Sequence, residues 1–460
     1  MQELTIPLNP ASSVPLYEQI YRFIISEIHE GRLSEGARLP SKRALCVHLG
    51  VSLSTVETAY GLLLAEGYIA SRPRSGFFVA ASGLPKALHR TPPPPTPALP
   101  DAAPRFDTST AAVDTSAFPY ATWAKIFKQV LYDRPDLLNR GDPQGDPELR
   151  NALSSFLYQY RGVRCRPEQL IIGAGMEHLF EIILRLTPEG TAAALEDPGY
   201  AAPYRVLSQY RRPVRLIPVD QSGMDVSLLR QSDASIAYVT PSHQFPTGAL
   251  MPVSRRMHLL QWAAEKPDRF IIEDDYDSEF RYSSRPIPAL QGISGADHVV
   301  YTGTFSRTIA PSIRVAYMVL PESLLPAYRT QYAHAASPVS RFEQQTLAQF
   351  IQGGFYARHL RRVGNLYRAR CAALSRALED IGNVRVHAND AGLHFLISHD
   401  ILSEADMLAR AADCGVRLTG LSAYCRASCP APSTAVIGFA GLKDEEIPEL
   451  AGLLARAWRV

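Results

Sequence analysis

The sequence contains little cysteine and no long hydrophobic run. Its six cysteines are spread over 460 residues without a Cys-x-x-Cys pair, which favours reduced thiols over a disulfide framework. Cys425 and Cys429 lie four residues apart, but no second pair of ligands accompanies them, so we predict no metal site. No apolar stretch approaches about 18 residues, and the first residues do not form a basic segment followed by an apolar one. We therefore expect a cytoplasmic protein that makes no use of a membrane.

An excess of charge of one sign is also missing, and lysine is rare. The formal net charge is only +2, so a nucleic-acid partner would have to be contacted by a local cluster of cations and not by a basic field over the whole protein. Six lysines stand against 41 arginines. A chain of 460 residues is expected to contain two or more domains, the larger of them with a substantial core.

A proline-rich segment divides the chain. Residues 81–105 contain the run Thr-Pro-Pro-Pro-Pro-Thr-Pro, which can continue neither a helix nor a central strand. Such a segment is typical of a semi-rigid spacer, although an SH3-like module could also bind it. We predict one domain at residues 12–80, a linker at 81–105 and a second domain at 106–460.

The first domain shows the pattern of three helices and a hairpin. Apolar residues from Leu16 to Ile28 follow helical spacing, and Ser41 is placed to cap a second helix. The series Ser54-Thr-Val-Glu57 has the spacing of a capping box, so we predict that a third helix, the candidate recognition helix, begins there. Residues 68–79 then predict a β-hairpin whose tip carries arginines.

Polar residues at the helix starts and on the hairpin are candidate DNA contacts. Cations suit phosphate oxygens and hydroxyls suit phosphates or base edges, although each residue alone is equally compatible with an ordinary solvated surface. The candidates are Lys42, Arg43, Ser52, Ser54, Thr55, Arg72 and Arg74. With the surrounding motifs "LPSKRAL" and "LGVSLSTVETAYGLLLAEGYI", they resemble the winged helix-turn-helix domain of GntR-family regulators. The resemblance implies a double-stranded DNA operator as partner, but Leu53 and Glu57 depart from the family pattern, so the operator sequence does not follow.

The second domain alternates short apolar runs with helical segments. Runs such as Leu170-Ile-Ile, Ile236-Ala-Tyr-Val and Phe270-Ile-Ile-Glu predict an α/β fold with a mostly parallel sheet covered on both faces. Ligands of such folds bind beyond the carboxyl ends of the strands. Those ends carry the motifs at residues 173–175, 196–200, 240–248, 273–276 and 301–314.

In this order and spacing, the motifs resemble fold-type I aminotransferases, which use pyridoxal 5'-phosphate (PLP). Together with the first domain they resemble the MocR subfamily of GntR regulators over nearly the whole chain. The resemblance implies that Asp274 pairs with the ring nitrogen of PLP, where a carboxylate stabilises the protonated ring. It implies that Tyr276 bonds the phenolic oxygen and that Tyr200 stacks on the ring. A solvated strand end for Asp274 and plain packing for Tyr200 are the competing interpretations.

The resemblance also assigns a phosphate end to the site. Gly175, with Ala174 beside it, would let a helix start approach the phosphate. Thr304 and Ser306 would offer hydroxyls, and Arg314 would bind the phosphate through a charge-assisted fork. A structural ion pair is the competing role for Arg314.

Position 307 departs from the pattern that the other motifs follow. Arg307 stands where the resemblance places the lysine that attaches PLP covalently. A guanidinium stays charged and is a poor nucleophile, so we expect no covalent attachment and no catalytic residue, while PLP could still bind noncovalently. Met176 stands where the resemblance places a hydroxyl residue that assists the phosphate. Ala202 stands where the GABA-responsive member of the family has an arginine for the substrate carboxylate.

These features lead to one preferred function and two alternatives. We predict a homodimeric, DNA-binding transcriptional regulator whose aminotransferase-like domain is a dimerisation scaffold and a sensor for PLP or an amino-acid-like effector. One alternative is a working PLP-dependent aminotransferase, whose turnover we expect to be strongly reduced without the lysine. The other is an engineered arginine-for-lysine variant of a PLP-responsive regulator.

Overall fold

The computed structural model divides the chain into two compact units, Met1–Ala102 and Ala103–Val460. It describes residues 4–10, 12, 14–73, 75–80, 104–282, 288–293, 297–387, 390–427 and 433–459. Most of the predicted linker, together with Arg74 and Cys429, lies outside the described residues. The boundaries 12–80, 81–105 and 106–460 therefore stay predictions.

The first unit is a three-helix bundle followed by a two-stranded hairpin. Buried apolar residues recur at helical spacing, as with Ile20, Ile24 and Ile28 on the first helix. Tyr60 is fully buried, and its hydroxyl donates to the carbonyl of Pro40 over 2.9 Å. The elements are α1 (Leu16–His29), α2 (Lys42–Leu49), α3 (Leu53–Ala65), β1 (Ile69–Arg72) and β2 (Gly76–Val79), with the two strands antiparallel.

The starts of α2 and α3 are both capped by serine. Ser41 accepts from the backbone N–H of Ala44 over 3.1 Å, as its position predicts. The predicted capping box at Ser54 is wrong, because Ser52 caps α3 by accepting from the N–H of Thr55 over 3.2 Å. Gly50 ends α2 in the left-handed conformation, at φ +65°, which leaves Ser52 as the extended residue before the new helix.

The second unit contains a large mixed sheet, a smaller antiparallel sheet and a two-stranded ribbon. Its strands are β3 (Phe106–Asp107), β4 (Leu170–Gly173), β5 (Ala193–Asp197), β6 (Val214–Asp220), β7 (Gly223–Met224), β8 (Ile236–Val239), β9 (Phe270–Asp275), β10 (Val299–Thr304), β11 (Ala316–Val319), β12 (Val384–His387), β13 (His394–His399), β14 (Val416–Arg417), β15 (Thr419–Gly420) and β16 (Thr434–Gly438). Its helices are α4 (Tyr120–Asp133), α5 (Pro147–Arg161), α6 (Met176–Leu186), α7 (Ala201–Gln209), α8 (Val226–Gln231), α9 (Val253–Ala264), α10 (Leu290–Ile293), α11 (Leu325–Tyr332), α12 (Arg341–Gln352), α13 (Phe355–Glu379), α14 (Glu404–Asp413) and α15 (Ile447–Ala457).

The large sheet has the order β4-β11-β10-β9-β8-β5-β6-β7, and its neighbours from β10 to β6 are parallel. Both faces are buried, because successive residues of one strand enter different cores. Ile171 packs in one cluster while Leu170 and Ile172 pack in another. The predicted α/β class with a mostly parallel sheet is confirmed.

The smaller sheet has the order β12-β13-β16-β15, and a core containing Phe395, Ile437 and Trp458 packs with it. The ribbon pairs β3 with β14 in parallel. Cys46, Cys165 and Cys414 carry free thiols. Among the residues that the structure describes, no helix is both long enough and apolar enough to cross a membrane.

A buried ion pair joins the end of α5 to the end of β9 in the second unit. Nε of Arg161 lies 2.7 Å from Oδ2 of Asp275, and both side chains are at most 3% exposed. Tyr301 donates to the same carboxylate oxygen over 2.5 Å. Asp275→Ala would remove the carboxylate that pairs with this buried guanidinium, so we expect the free energy of unfolding to fall by about 3–5 kcal/mol. Urea titration followed by tryptophan fluorescence measures this unit alone, because the three tryptophans, Trp123, Trp262 and Trp458, all lie in it.

The matched control removes an aspartate from an exposed pair. Asp233 lies 2.6 Å from Arg215, with the two side chains 64% and 40% exposed. Asp233→Ala should leave the urea midpoint unchanged within error, since water screens such pairs. Equal midpoints for the two variants would show that the Arg161 pair does not stabilise the unit.

Candidate functional site

The first unit presents polar residues at the starts of α2 and α3. Ser52 and Ser54 are exposed, and the Ser52 hydroxyl bonds those of Ser54 (2.9 Å) and Thr55 (2.7 Å). Lys42, at the start of α2, has its ammonium 3.6 Å from a carboxylate oxygen of Glu57 and 5.6 Å from the ring centre of Phe77. Lys42 therefore links α2, α3 and β2, and its charge is partly compensated by Glu57.

Two arginines of the same unit are more available than Lys42 to bind an anion. Arg43 is exposed beside Lys42, and no ion pair is found for it among the described residues. Arg72 is exposed at the end of β1, where its guanidinium lies 4.6 Å from the ring centre of Phe78. These side chains give the unit a local cationic surface of the kind that phosphates require.

A cavity of about 210 Å³ opens at the carboxyl ends of the central strands in the second unit. Strand ends, the start of α6 and the loop after β10 supply its wall. The lining residues are Ala111, Met176, Glu177, Tyr200, Thr240, Phe245, Asp274, Tyr276, Thr304, Ser306, Arg307, Pro311 and Arg314.

Asp274 is the buried acid of this cavity. It is 4% exposed, and Tyr238 on the neighbouring strand donates to its Oδ2. Its Oδ1 has no hydrogen-bond partner among the described residues. Burial raises the pKa of Asp274 to about 7, and the hydrogen bond from Tyr238 opposes that rise. One oxygen is thus held and the other remains for a donor on a ligand.

Tyr276 is oriented by a buried histidine and aspartate. Nδ1 of His243 lies 3.0 Å from Oδ2 of Asp277 and 2.9 Å from the hydroxyl of Tyr276. Because a carboxylate accepts, Asp277 holds the proton on Nδ1, and the Tyr276 oxygen then also accepts from this N–H. The phenol hydrogen stays available to donate into the cavity. Burial raises the pKa of Tyr276 well above its ordinary value, so the donor form persists.

Hydroxyls and a guanidinium also line the cavity. Thr304 accepts from the N–H of Ser306 over 3.1 Å, and Ser306 donates to the carbonyl of Ile313 over 3.3 Å. Gly175, at φ +98°, precedes α6, and a Cβ there would overlap the guanidinium of Arg314. No ion pair of Arg314 is found in the described part of the chain, and its role at the phosphate stays a prediction.

Arg307 also lines this cavity. It is half-buried, and its Nη1 donates to the backbone carbonyl of Thr110. Its positive charge opposes the rise in the pKa values of Asp274 and Tyr276 that burial causes. The charge of Arg307 therefore acts directly on the polar groups of the cavity.

Comparison with known proteins agrees with both units. Residues 16–79 match the model of bacterial regulatory proteins of the gntR family, and residues 106–454 match that of aminotransferase class I and II. The HTH-type transcriptional regulator YdeL of Bacillus subtilis (strain 168) is 38% identical over 100% of both chains. MocR of Rhizobium meliloti, a probable rhizopine catabolism regulatory protein, is 34% identical over 96% of this chain and 93% of its own. The chain belongs to the MocR-like regulators of the GntR family.

The second unit of this MocR-like regulator also resembles solved enzymes in fold. Kynurenine aminotransferase of Pyrococcus horikoshii superposes with a TM-score of 0.69 at 24% identity, covering 78% of this chain and 91% of the enzyme. At that identity the likeness concerns the fold alone. The predictions of a transcriptional regulator, of a helix-turn-helix unit and of an aminotransferase-like domain are confirmed.

The structure brings most of the predicted cofactor residues of the regulator together. Tyr200, Asp274, Tyr276, Thr304, Ser306 and Arg314 all line the one cavity with Arg307. Ala174 and Gly175 do not line it, although Gly175 borders Arg314. The cofactor roles of these residues stay predictions.

The sequence patterns did not identify several buried residues that hold the side chains of the cavity wall in place through hydrogen bonds. Tyr238 was expected to be ordinary strand core, and His243 and Asp277 lie in or beside recognised motifs without an assigned role. With His394, the last two form a buried group whose possible metal-ligand atoms lie within 4.8 Å of one another. The 3.0 Å contact between His243 and Asp277 is a hydrogen-bond distance, so this pair can orient Tyr276.

Proposed function

We propose that this regulator binds PLP noncovalently in the second unit and that the bound ligand changes how the first unit binds operator DNA. The observation that carries the proposal is a single cavity lined by both Asp274 and Arg314. Among the described residues, Oδ1 of Asp274 has no hydrogen-bond partner and the guanidinium of Arg314 has no ion pair. A protonated pyridine nitrogen suits the first group and a phosphate suits the second. PLP would supply an electron-poor ring and an aldehyde at this place.

The side chains of the cavity each have a defined task in this proposal. Asp274 would accept from the ring nitrogen while Tyr238 fixes its other oxygen. Tyr276 would donate to the phenolic oxygen, because His243 and Asp277 leave its hydrogen free. Tyr200 and Phe245, whose ring centres lie 5.6 Å apart in an edge-on arrangement, would enclose the ring and exclude water.

The cavity wall favours sensing over transamination. None of the residues that line it is a lysine, so the wall offers no amine to attach the cofactor or to carry a proton during turnover. Arg307 carries a guanidinium, which is a poor nucleophile and cannot replace that amine.

We further propose a homodimer on double-stranded DNA. Helix α4 exposes large apolar side chains, namely Tyr120, Phe127, Leu131 and Tyr132, between 40% and 73%. Such a face is typical of a protein interface. A sedimentation experiment that finds only monomers at micromolar concentration would remove this part of the proposal.

The test couples ligand binding to DNA binding. Gel retardation with DNA from upstream of the regulator's own gene should show a complex at low salt, and PLP should change its apparent Kd. Asp274→Asn removes the charge that holds the ring nitrogen, so we expect PLP affinity in equilibrium dialysis to fall by about 10- to 100-fold. DNA affinity without PLP should be unchanged, because Asp274 lies in the other unit.

Two results would contradict the proposal. Absence of any retarded DNA at low salt removes the DNA partner, and equal PLP binding by wild type and Asp274→Asn removes the cofactor assignment. Asp233→Asn, at an exposed aspartate of the same unit, is the control for a nonspecific loss of charge.

A further inference from the structure

The cavity wall contains two arginines and two acidic residues. Its charged residues are Arg307, Arg314, Glu177 and Asp274. Glu177 forms an ion pair with Arg205, which does not line the cavity, so it compensates neither guanidinium of the wall. Asp274 is largely desolvated and shares its Oδ2 with Tyr238. The wall therefore presents two guanidiniums, and neither forms an ion pair with a carboxylate among the described residues.

The two guanidiniums have separate surroundings. Arg314 borders Gly175 and directly follows Ile313, whose carbonyl accepts from the Ser306 hydroxyl. Arg307 reaches the Thr110 carbonyl and acts on Tyr276 and Asp274 through its charge. Because the two arginines have different neighbours, a phosphate bound by Arg314 would leave the N–H donors of Arg307 for a second acceptor.

The donors of Arg307 are mostly uncommitted. A guanidinium carries five N–H donors, and one hydrogen bond, to a neutral carbonyl, is recorded for Arg307 within the described residues. Half-buried cations of this kind bind carboxylates through paired, charge-assisted hydrogen bonds. The same cation repels an ammonium group at that place.

We propose that the cavity selects a phosphorylated pyridine that also carries a carboxylate, with the phosphate at Arg314 and the carboxylate at Arg307. This inference rests on the proposed function of the cavity as a receptor for a pyridine phosphate. In this inference Arg307 determines ligand specificity, at the position where the resemblance places the lysine that attaches PLP.

Three noncovalent probes test the selectivity by titration calorimetry on the full chain. They share the ring and the phosphate and differ at one substituent: 4-pyridoxic acid 5'-phosphate has a carboxylate, pyridoxine 5'-phosphate an alcohol and pyridoxamine 5'-phosphate an amine. We expect the carboxylate probe to bind about 10- to 100-fold more tightly than the alcohol, and the amine to bind most weakly. Arg307→Gln should bring the carboxylate and alcohol probes within about threefold of each other.

Two further variants separate selectivity from general damage. Arg314→Gln should weaken all three probes and keep their ratios, because each carries the phosphate. Arg329→Gln removes an exposed guanidinium that does not line the cavity, and it should change nothing.

The possible failures are distinguishable. If no probe binds, the proposed pyridine-phosphate receptor is wrong and this inference falls with it. If the probes bind but the amine equals or exceeds the carboxylate, or if Arg307→Gln leaves the ratio intact, the selectivity by Arg307 is wrong while the receptor stands.

Discussion

Arg307→Lys is expected to convert reversible binding of PLP into covalent attachment, at one cofactor per chain. The aldehyde of PLP and the lysine amine would lose water and form a C=N bond, which borohydride reduces to a stable amine. The guanidinium of the wild type cannot do this, because its lone pairs are delocalised and it stays protonated. Tyr200, Asp274, Tyr276 and Arg314 line the same cavity and are unchanged in the variant.

Peptide mass spectrometry after borohydride treatment locates the attachment. In the variant, residue 307 should carry nearly all of the label, and dialysis before reduction should not remove it. The six native lysines provide the internal background in both proteins. A wild-type protein labelled at residue 307, or a variant labelled no more there than at its native lysines, would falsify the assignment of position 307.

The double variant Arg43→Ala/Arg72→Ala is expected to bind DNA about 100-fold more weakly. Its binding constant should also fall less steeply with salt, because about two fewer counterions are released on binding. Both guanidiniums are exposed on the first unit, one at the start of α2 and one at the end of β1. Lys42 should matter less, since Glu57 already lies 3.6 Å from its ammonium. Fluorescence anisotropy at several salt concentrations measures both the affinity and the slope.

The control variant removes the same number of positive charges at other positions of the first unit. Arg22 and Arg32 are paired with glutamates on or beside α1, so Arg22→Ala/Arg32→Ala removes two cations from the same unit. That variant should keep the wild-type slope. Equal losses of DNA affinity in the two double variants would mean that binding depends only on the net charge of the unit. In that case α2 and the hairpin would not be the surface that contacts DNA.

The sequence predicted the elements well wherever the pattern was local. The helix from Leu16 and the strands Ile236–Val239 and Phe270–Asp275 follow from apolar spacing over a few residues. The cap of α3 was misplaced by two positions because Ser52 and Ser54 are both plausible caps in sequence. The left-handed Gly50 decides between them by setting where the chain becomes extended.

The supports of the candidate site were not predictable from local patterns. Tyr238 and Asp274 are 36 residues apart, and they meet because β8 and β9 pair with Tyr238 opposite Ile272, which faces the same side as Asp274. The link from His243 to Asp277 likewise spans 34 positions. Such contacts depend on strand register and not on spacing along the chain.

The sequence by itself determined the element types, the family resemblance and the absence of an amine at position 307. Side-chain chemistry and short-range periodicity are properties of the covalent chain, so they can be read without coordinates. Only the tertiary structure decided which charges are compensated: Glu57 meets Lys42, Glu177 meets Arg205, and Arg307 and Arg314 remain without a carboxylate among the described residues. Charge compensation and burial depend on groups brought together across the fold, because electrostatic energy is set by distance and solvent exposure.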